Sequence, residues 1–388
     1  MNGGSDFTLN VALFIPFGLA LGLMAVVPIR AWMAGLTLAI AIESLQHFGF
    51  PGGRVANVTD LTANSTGSFI GGLIGAHWRL LLFPTAQRAG QIALVSVMFV
   101  VSLCCFCCWA LQPYSALTNS VGDPRGSQPA GIPFPTEFGW YHGLLTEAQL
   151  NSHTIARSGD GPAIIESNSA EASRLQGSAT IIGRDERDFF VPFIYVHEPD
   201  RLPKVLLGQR GQDAQLRGTL NASRLRLAGP TLTLNNAFSA IDPGPRRFQF
   251  DVTPEYWRLS AQSAAAVRHN VMRISLGLGW TLFQTVVHVG DPLARIVTLL
   301  WLFVLWLPVG YWCAIAGKPA DTDNRNLGNF RRWQFVAASV IALQFTLWLV
   351  PRAMGIAATL PHEWGLSIAG LAVGVFLATR FYHYIPAQ

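Results

Sequence analysis

The sequence predicts a polytopic α-helical membrane protein of about seven spans carrying an extracytoplasmic β-sandwich domain. Three observations carry that prediction. Of 388 residues, 51% are hydrophobic and only 13% are charged, with mean hydropathy +0.34. That balance is too apolar for an ordinary soluble chain. Apolar runs close to the ~20 residues needed to cross a bilayer cluster at both ends. Between them, from about Gln112 to Asp291, much of the charge gathers and the pattern turns to short alternating segments.

The expected spans are Leu9–Val27, Ala31–Phe48, Gly67–Phe83 and Ile92–Leu111, then Ala294–Ala316, Gln334–Val350 and Leu366–Thr379. They divide the chain into a membrane block (1–111), a linker rich in Pro, Gly and Ser (112–135), a sandwich (136–291) and a second membrane block (292–388). Pro16 lies inside the first run, where neighbouring helices can satisfy the freed carbonyl. Gly67, Gly71 and Gly75 repeat every four residues, a small-residue stripe that lets a neighbouring helix approach closely.

Charge orders these spans. Arg30, Arg79, Arg88, Lys318, Arg325, Arg331, Arg332 and Arg380 flank the runs at one set of ends. If those ends are cytoplasmic, the amino end and the sandwich lie outside the cell or inner membrane. Arg54 and Arg352 break the rule. No basic residue precedes the first run, so an uncleaved first helix is expected. The net charge of +5 fits loop bias, and the basic residues of the middle region are scattered, so no nucleic-acid partner is expected. Membrane lipids are the expected surroundings.

The segments SATIIGR, DFFVPFIYVHE, PKVLLGQRG, AQLRGTL, SRLRLAG, PTLTLNN, RFQFDVT, YWRLSAQ and MRISLGLGWTLF are expected as strands. Their alternation of apolar and polar residues suits half-buried strands. All five cysteines lie in apolar runs, four of them in Cys104–Cys108, so the sandwich folds without disulfides. CCFCC has superficial metal spacing but reads as small apolar residues filling a helix interface.

Glu43 sits near the end of the second run, where an ionised group is costly and therefore a functional candidate. Gln46 and His47 follow on the same helix face. Arg54, Asp60 and Asn64 come next. Glu43 can serve as a general acid or base, or form a structural pair with Gln46 and Arg54. Arg54 and Asp60 can pair with each other or clamp an anionic headgroup. Asp60 can also start the next helix. Glu43, His47 and Asp60 together could ligate a divalent metal, but a lone His at the end of an apolar run is more often an interface residue, and no metal is assigned. Tyr256, Trp257 and Trp280 can stack on a sugar or pack the core. No cofactor is implied.

The order FIPFG (Phe14 to Gly18), Glu43-Ser-Leu-Gln46, Arg54, Asp60 and Asn64-Ser-Thr-Gly67 resembles the VanZ-like membrane domain. FIYVHE, LLGQRG and LRLAGP resemble the concanavalin-like or laminin-G-like sandwiches fused to some VanZ-like proteins. The resemblance implies a cell-envelope protein that recognises cell-wall or surface glycans and is linked to resistance to glycopeptides such as teicoplanin. The alternative is an intramembrane enzyme acting on a lipid-linked precursor, with Glu43 as acid or base and Arg54 on phosphate.

Overall fold

The computed structural model describes residues 3–48, 57–114, 141–151, 153–160, 163–166, 174–197, 203–238, 244–284, 292–317 and 325–381. The first helices are α1 (Gly3–Leu23), α2 (Pro28–His47), α3 (Val58–Ala76), the short α4 (Trp78–Leu82) and α5 (Ala86–Ala110). After the β region come α6 (Pro292–Ala316), α7 (Arg325–Gln344), a π-helical turn (Phe345–Leu349), α8 (Val350–Ala353) and α9 (Pro361–Phe381). Pro28 opens α2 at its first turn, where a missing N–H costs nothing. Thr85 caps α5 through the backbone N–H of Arg88.

Among the described residues, six helices are long and apolar enough to cross a membrane: Ser5–Leu23, Pro28–His47, Ala86–Ala110, Leu293–Ala316, Gln334–Ala353 and Pro361–Phe381. The expected third span differs. Its helix starts at Val58 rather than Gly67, and its first half is polar, with Thr59, Asp60, Thr62, Asn64 and Ser65. Its buried face is made of Ala63, Asn64, Ser65, Ser68 and four glycines, which pack on protein rather than lipid.

That packing is close. A Cβ placed on Gly67, Gly71 or Gly75 would collide with the carbonyls of Val11, Ile15 or Leu19 on α1. One placed on Gly18 would collide with the Ser68 backbone. Contacts rise in step along both helices, so α1 and α3 run parallel with their backbones touching.

The second block repeats this arrangement. Gly370 faces the Phe303 carbonyl, Gly374 faces Leu307, and Gly310 faces the Leu371 backbone. Pro308 precedes Gly310 on α6 as Pro16 precedes Gly18 on α1, two residues before it in each case. Glu363 then occupies the place on α9 that Asp60 holds on α3. The two helix pairs, α1–α3 and α6–α9, share one packing pattern although their sequences differ at most positions.

The β region forms two sheets. The strands are β1 (Leu144–Leu150), β2 (His153–Asp160), β3 (Ala163–Glu166), β4 (Leu175–Ile182), β5 (Val191–His197), β6 (Pro203–Arg210), β7 (Asp213–Gly218), β8 (Thr231–Leu234), β9 (Arg246–Val252), β10 (Tyr256–Gln262) and β11 (Val267–Arg273). One sheet has the order β11-β10-β9-β4-β1-β2, the other β3-β5-β6-β7-β8. Pairing is antiparallel except between β3 and β5. Phe193 of β5 and Phe248 of β9 meet at 5.3 Å between ring centroids, and Phe238 stacks on Phe248 at 5.2 Å. Alternate residues of both sheets fill this core, as a two-layered β domain requires.

Two expected strands are absent. SRLRLAG forms a 3-10 turn, Asn221–Leu225, with Arg226 in the left-handed region at φ 54°. Asn221 anchors it by donating to the carbonyl of Trp109 at the end of α5. Leu276–Phe283, the apolar end of MRISLGLGWTLF, forms a 3-10 helix set against α1, α5 and α6. Seven of its eight residues are buried, because membrane helices rather than a sheet cover it. One apolar core therefore runs from the sheets into the helices, joining Phe248 and Leu259 to Leu276, Cys107 and Trp306.

Candidate functional sites

The amino-terminal constellation forms where α2 ends and α3 begins. Glu43 and Gln46, one turn apart on α2, are 7% and 8% exposed. Glu43 Oε2 accepts the backbone N–H of Asn57 at 2.6 Å. Asn57 in turn caps α3, its Oδ1 accepting from Thr59 N at 3.0 Å. The cap is thus Asn57, and Asp60 stands inside the first turn, where its charge favours the positive helix end. Asn64, on the buried face of α3, is 5% exposed, and its side-chain oxygen has no hydrogen-bond partner among the described residues. Arg54 lies outside the described residues. Glu43, His47 and Asp60 do not gather into a group able to hold a metal.

The aromatic candidates separate. Trp257 is 1% exposed and packs inward, where Gly218 of β7 makes room for its ring. A Cβ on Gly218 would stand 2.7 Å from that ring. Trp280 is 4% exposed and belongs to the membrane junction, not to a sugar-facing strand. Its Nε1–H donates to Thr298 Oγ1 of α6 at 2.9 Å. Burial withdraws both from any ligand. Tyr256 stays partly exposed and donates its hydroxyl hydrogen to Asp251 Oδ2 at 3.0 Å.

A second site appears beside Tyr256, on the outer face of the six-stranded sheet. Alternation sends Gln249 and Asp251 of β9 outward, with Arg247, while Phe248 and Phe250 are buried. Register then builds polar rows across the strands. Gln149, Ser178, Gln249 and Ser260 lie side by side on β1, β4, β9 and β10. Gln176, Asp251 and Arg258 form the next row. These rows floor a cleft of about 410 Å³ edged by Arg174 and Arg247.

Arg174 grips Asp251 through two hydrogen bonds, at 3.1 and 2.8 Å. Burial pushes the Asp251 carboxyl up, but hydrogen bonds from Arg174 and Tyr256 outweigh it and hold the group below the ordinary carboxylate range. Arg258 rests with Cζ 5.6 Å from the Tyr256 ring centroid, a cation–π placement. The cleft therefore offers amides, hydroxyls and guanidinium groups, the donors and acceptors that match a polyhydroxylated ligand. Sequence reading missed it because no motif marks it. The signal lay in polar residues at every second position of RFQFDVT and YWRLSAQ, which become one surface only once β9 and β10 are paired.

Glu363 was also missed. It is 2% exposed at the start of α9. Comparing the two Pro-and-Gly-bearing helix pairs would have found it, opposite Asp60.

Comparison with known proteins agrees with the amino-terminal reading. No curated protein and no solved structure matches the chain. Residues 2–82, which contain α1 to α4 and the positions Glu43, Gln46, Asp60 and Asn64, match the VanZ/LLP1 family model, and this stretch is VanZ-like.

Proposed function

We propose that this chain is a cell-envelope protein, multi-pass in the plasma or inner membrane, that recognises an envelope glycan with its extracytoplasmic β domain. The polar cleft on the six-stranded sheet is the observation that carries this reading. Its rows of Gln and Ser present paired donors and acceptors at strand spacing, about 4.8 Å, comparable to the spacing of hydroxyls along a saccharide. Charge bias supports the side: the helix ends flanked by Arg30, Arg79, Arg88 and Arg380 lie opposite the β domain. The VanZ-like first block links the protein to glycopeptide resistance by resemblance.

A glycan array probed with the purified full chain in detergent tests the reading. Binding to envelope saccharides that falls about tenfold in Gln249→Ala is expected, one hydrogen-bonded amide being worth about 1.4 kcal/mol at such a site. No saccharide bound above background, or binding indifferent to this change, refutes it. The enzymatic alternative gains nothing from the geometry, since Glu43 is engaged by the Asn57 N–H.

A further inference from the structure

A second cleft, of about 360 Å³, opens where the β domain meets the membrane block. Tyr256, Arg258 and Arg273 line its β side, and Ala357 and Ala358 its membrane side. Ala357 and Ala358 sit in the loop between two apolar spans, Gln334–Ala353 and Pro361–Phe381. Arg258 lines both clefts. The two therefore share the Arg258 side chain as a common wall, with the polar rows of the sheet on one side and the loop between the two apolar spans on the other.

The junction is fixed in place. Ala357 N donates to Ile274 O at 3.0 Å, and Ile274 N donates to Glu255 O at 2.8 Å. Ser275 Oγ, the next residue on, donates to Glu363 Oε1 at 2.6 Å. The lower cleft thus has backbone walls held by both layers.

Its charge is one-sided. Four arginines, Arg174, Arg247, Arg258 and Arg273, border the combined track against two carboxylates, Asp251 and Glu255. Asp251 is occupied by Arg174 and Tyr256. Among the described residues no carboxylate stands within ion-pair distance of Arg247, Arg258 or Arg273. Arg258 and Arg273 flank Tyr256 on neighbouring strands, Arg273 directly opposite it. Two guanidinium groups at the foot of a sugar-like cleft suit the bidentate oxygens of a phosphate.

We propose that the track binds a membrane-anchored glycan joined to its lipid through phosphate. The phosphate lies at Arg258 and Arg273, the sugars on Gln249 and Ser260, and the lipid enters the bilayer past Ala357 and Ala358. This rests on the glycan reading above and adds the anchor and its charge.

The test uses the full chain in detergent and calorimetry with three probes: a prenyl-phosphate disaccharide, the free disaccharide, and the same disaccharide 1-phosphate without lipid. The prenyl-phosphate disaccharide is expected to bind about tenfold or more tighter than the free sugar, the worth of one charge-assisted contact. Arg258→Gln and Arg273→Gln are expected to erase that advantage, and Arg258→Lys to recover part of it. Both arginines are exposed, so folding is spared. Equal binding of the free and lipid-linked sugars overturns the phosphate site while leaving glycan recognition standing. Equal binding of the lipid-free phosphate and the prenyl form overturns the membrane anchor. Failure of all three probes, with the glycan array also blank, removes both readings.

Discussion

Ser275 Oγ donates a 2.6 Å hydrogen bond to Glu363 Oε1, tying the end of the last strand to the first turn of the last membrane helix. The other carboxylate oxygen accepts the backbone N–H of Leu360 at 2.8 Å. Gly277 lies so close to this carboxylate that a Cβ there would overlap it. A buried carboxylate thus joins the β domain to the helices.

Removing the hydroxyl should expose that dependence. Ser275→Ala is expected to cost about 1–3 kcal/mol, because a buried carboxyl oxygen loses a donor that water cannot replace. Thermal unfolding of the solubilised chain, followed by tryptophan fluorescence, measures it. An unchanged midpoint would show that the bond does not hold the junction.

The repeated helix pairs give a matched experiment. Gly71→Ala and Gly374→Ala are each expected to destabilise by about 1–3 kcal/mol, since each new methyl meets backbone that cannot yield. Gly365 on α9 has open space around it. Gly365→Ala should be neutral or gain about 0.5–1 kcal/mol from helix propensity. Similar losses at Gly71 and Gly374 would support one packing design used twice; a tolerated Gly71→Ala would contradict it.

Glu43 behaves as a structural acceptor in this geometry. Glu43→Gln keeps an oxygen for Asn57 N and loses the charge, so about 1 kcal/mol of stability and no cellular phenotype are expected. Asn57→Ala removes the cap and should cost about 0.5–2 kcal/mol. A glycopeptide-susceptibility assay beside unfolding curves separates the roles. Full loss of phenotype in a stably folded Glu43→Gln protein would restore a catalytic part for it.

Acid should loosen the β domain. Asp185 and Asp251 have folded pKa values below the ordinary range: burial pushes each carboxyl up, and hydrogen bonds from Arg187 and Arg174 respectively prevail. A depressed folded pKa means stability present above the unfolded value, about 3.9, and lost as pH falls from there through the folded value. Near-UV circular dichroism during acid titration should show this loss. Arg174→Gln should reduce the Asp251 share of it, and an identical titration in that variant would argue against the pair.

Much of the fold was legible in residue order. Long apolar runs located most helices, since a bilayer sets their length. Alternation located β9 and β10, where one strand face is buried and one is wet, and short apolar runs located β5 and β6, which are buried on both faces. The failures share a cause. SRLRLAG alternates like a strand but is pulled into a turn by Asn221 anchoring to α5, and LGLGWTLF is apolar because membrane helices surround it. Trp257 and Trp280 were chemically able to stack on sugar, yet burial removed them. Gln249, Ser260 and Arg258 showed only polar alternation within their strands, which becomes a site once β9 and β10 pair.

By itself the sequence determined the class of molecule: apolar segments near bilayer length, a polar insert of alternating strands, and the VanZ-like order of Glu43, Gln46, Asp60 and Asn64. Those features are short-range, set by the cost of bringing polar groups into lipid and by backbone periodicity. The tertiary structure decided which helices touch, that the second block repeats the packing of the first, and that polar residues from four strands form one cleft beside a second that Ala357 and Ala358 of the loop line. These depend on register and on contacts between residues tens of positions to more than a hundred apart, which no local pattern encodes.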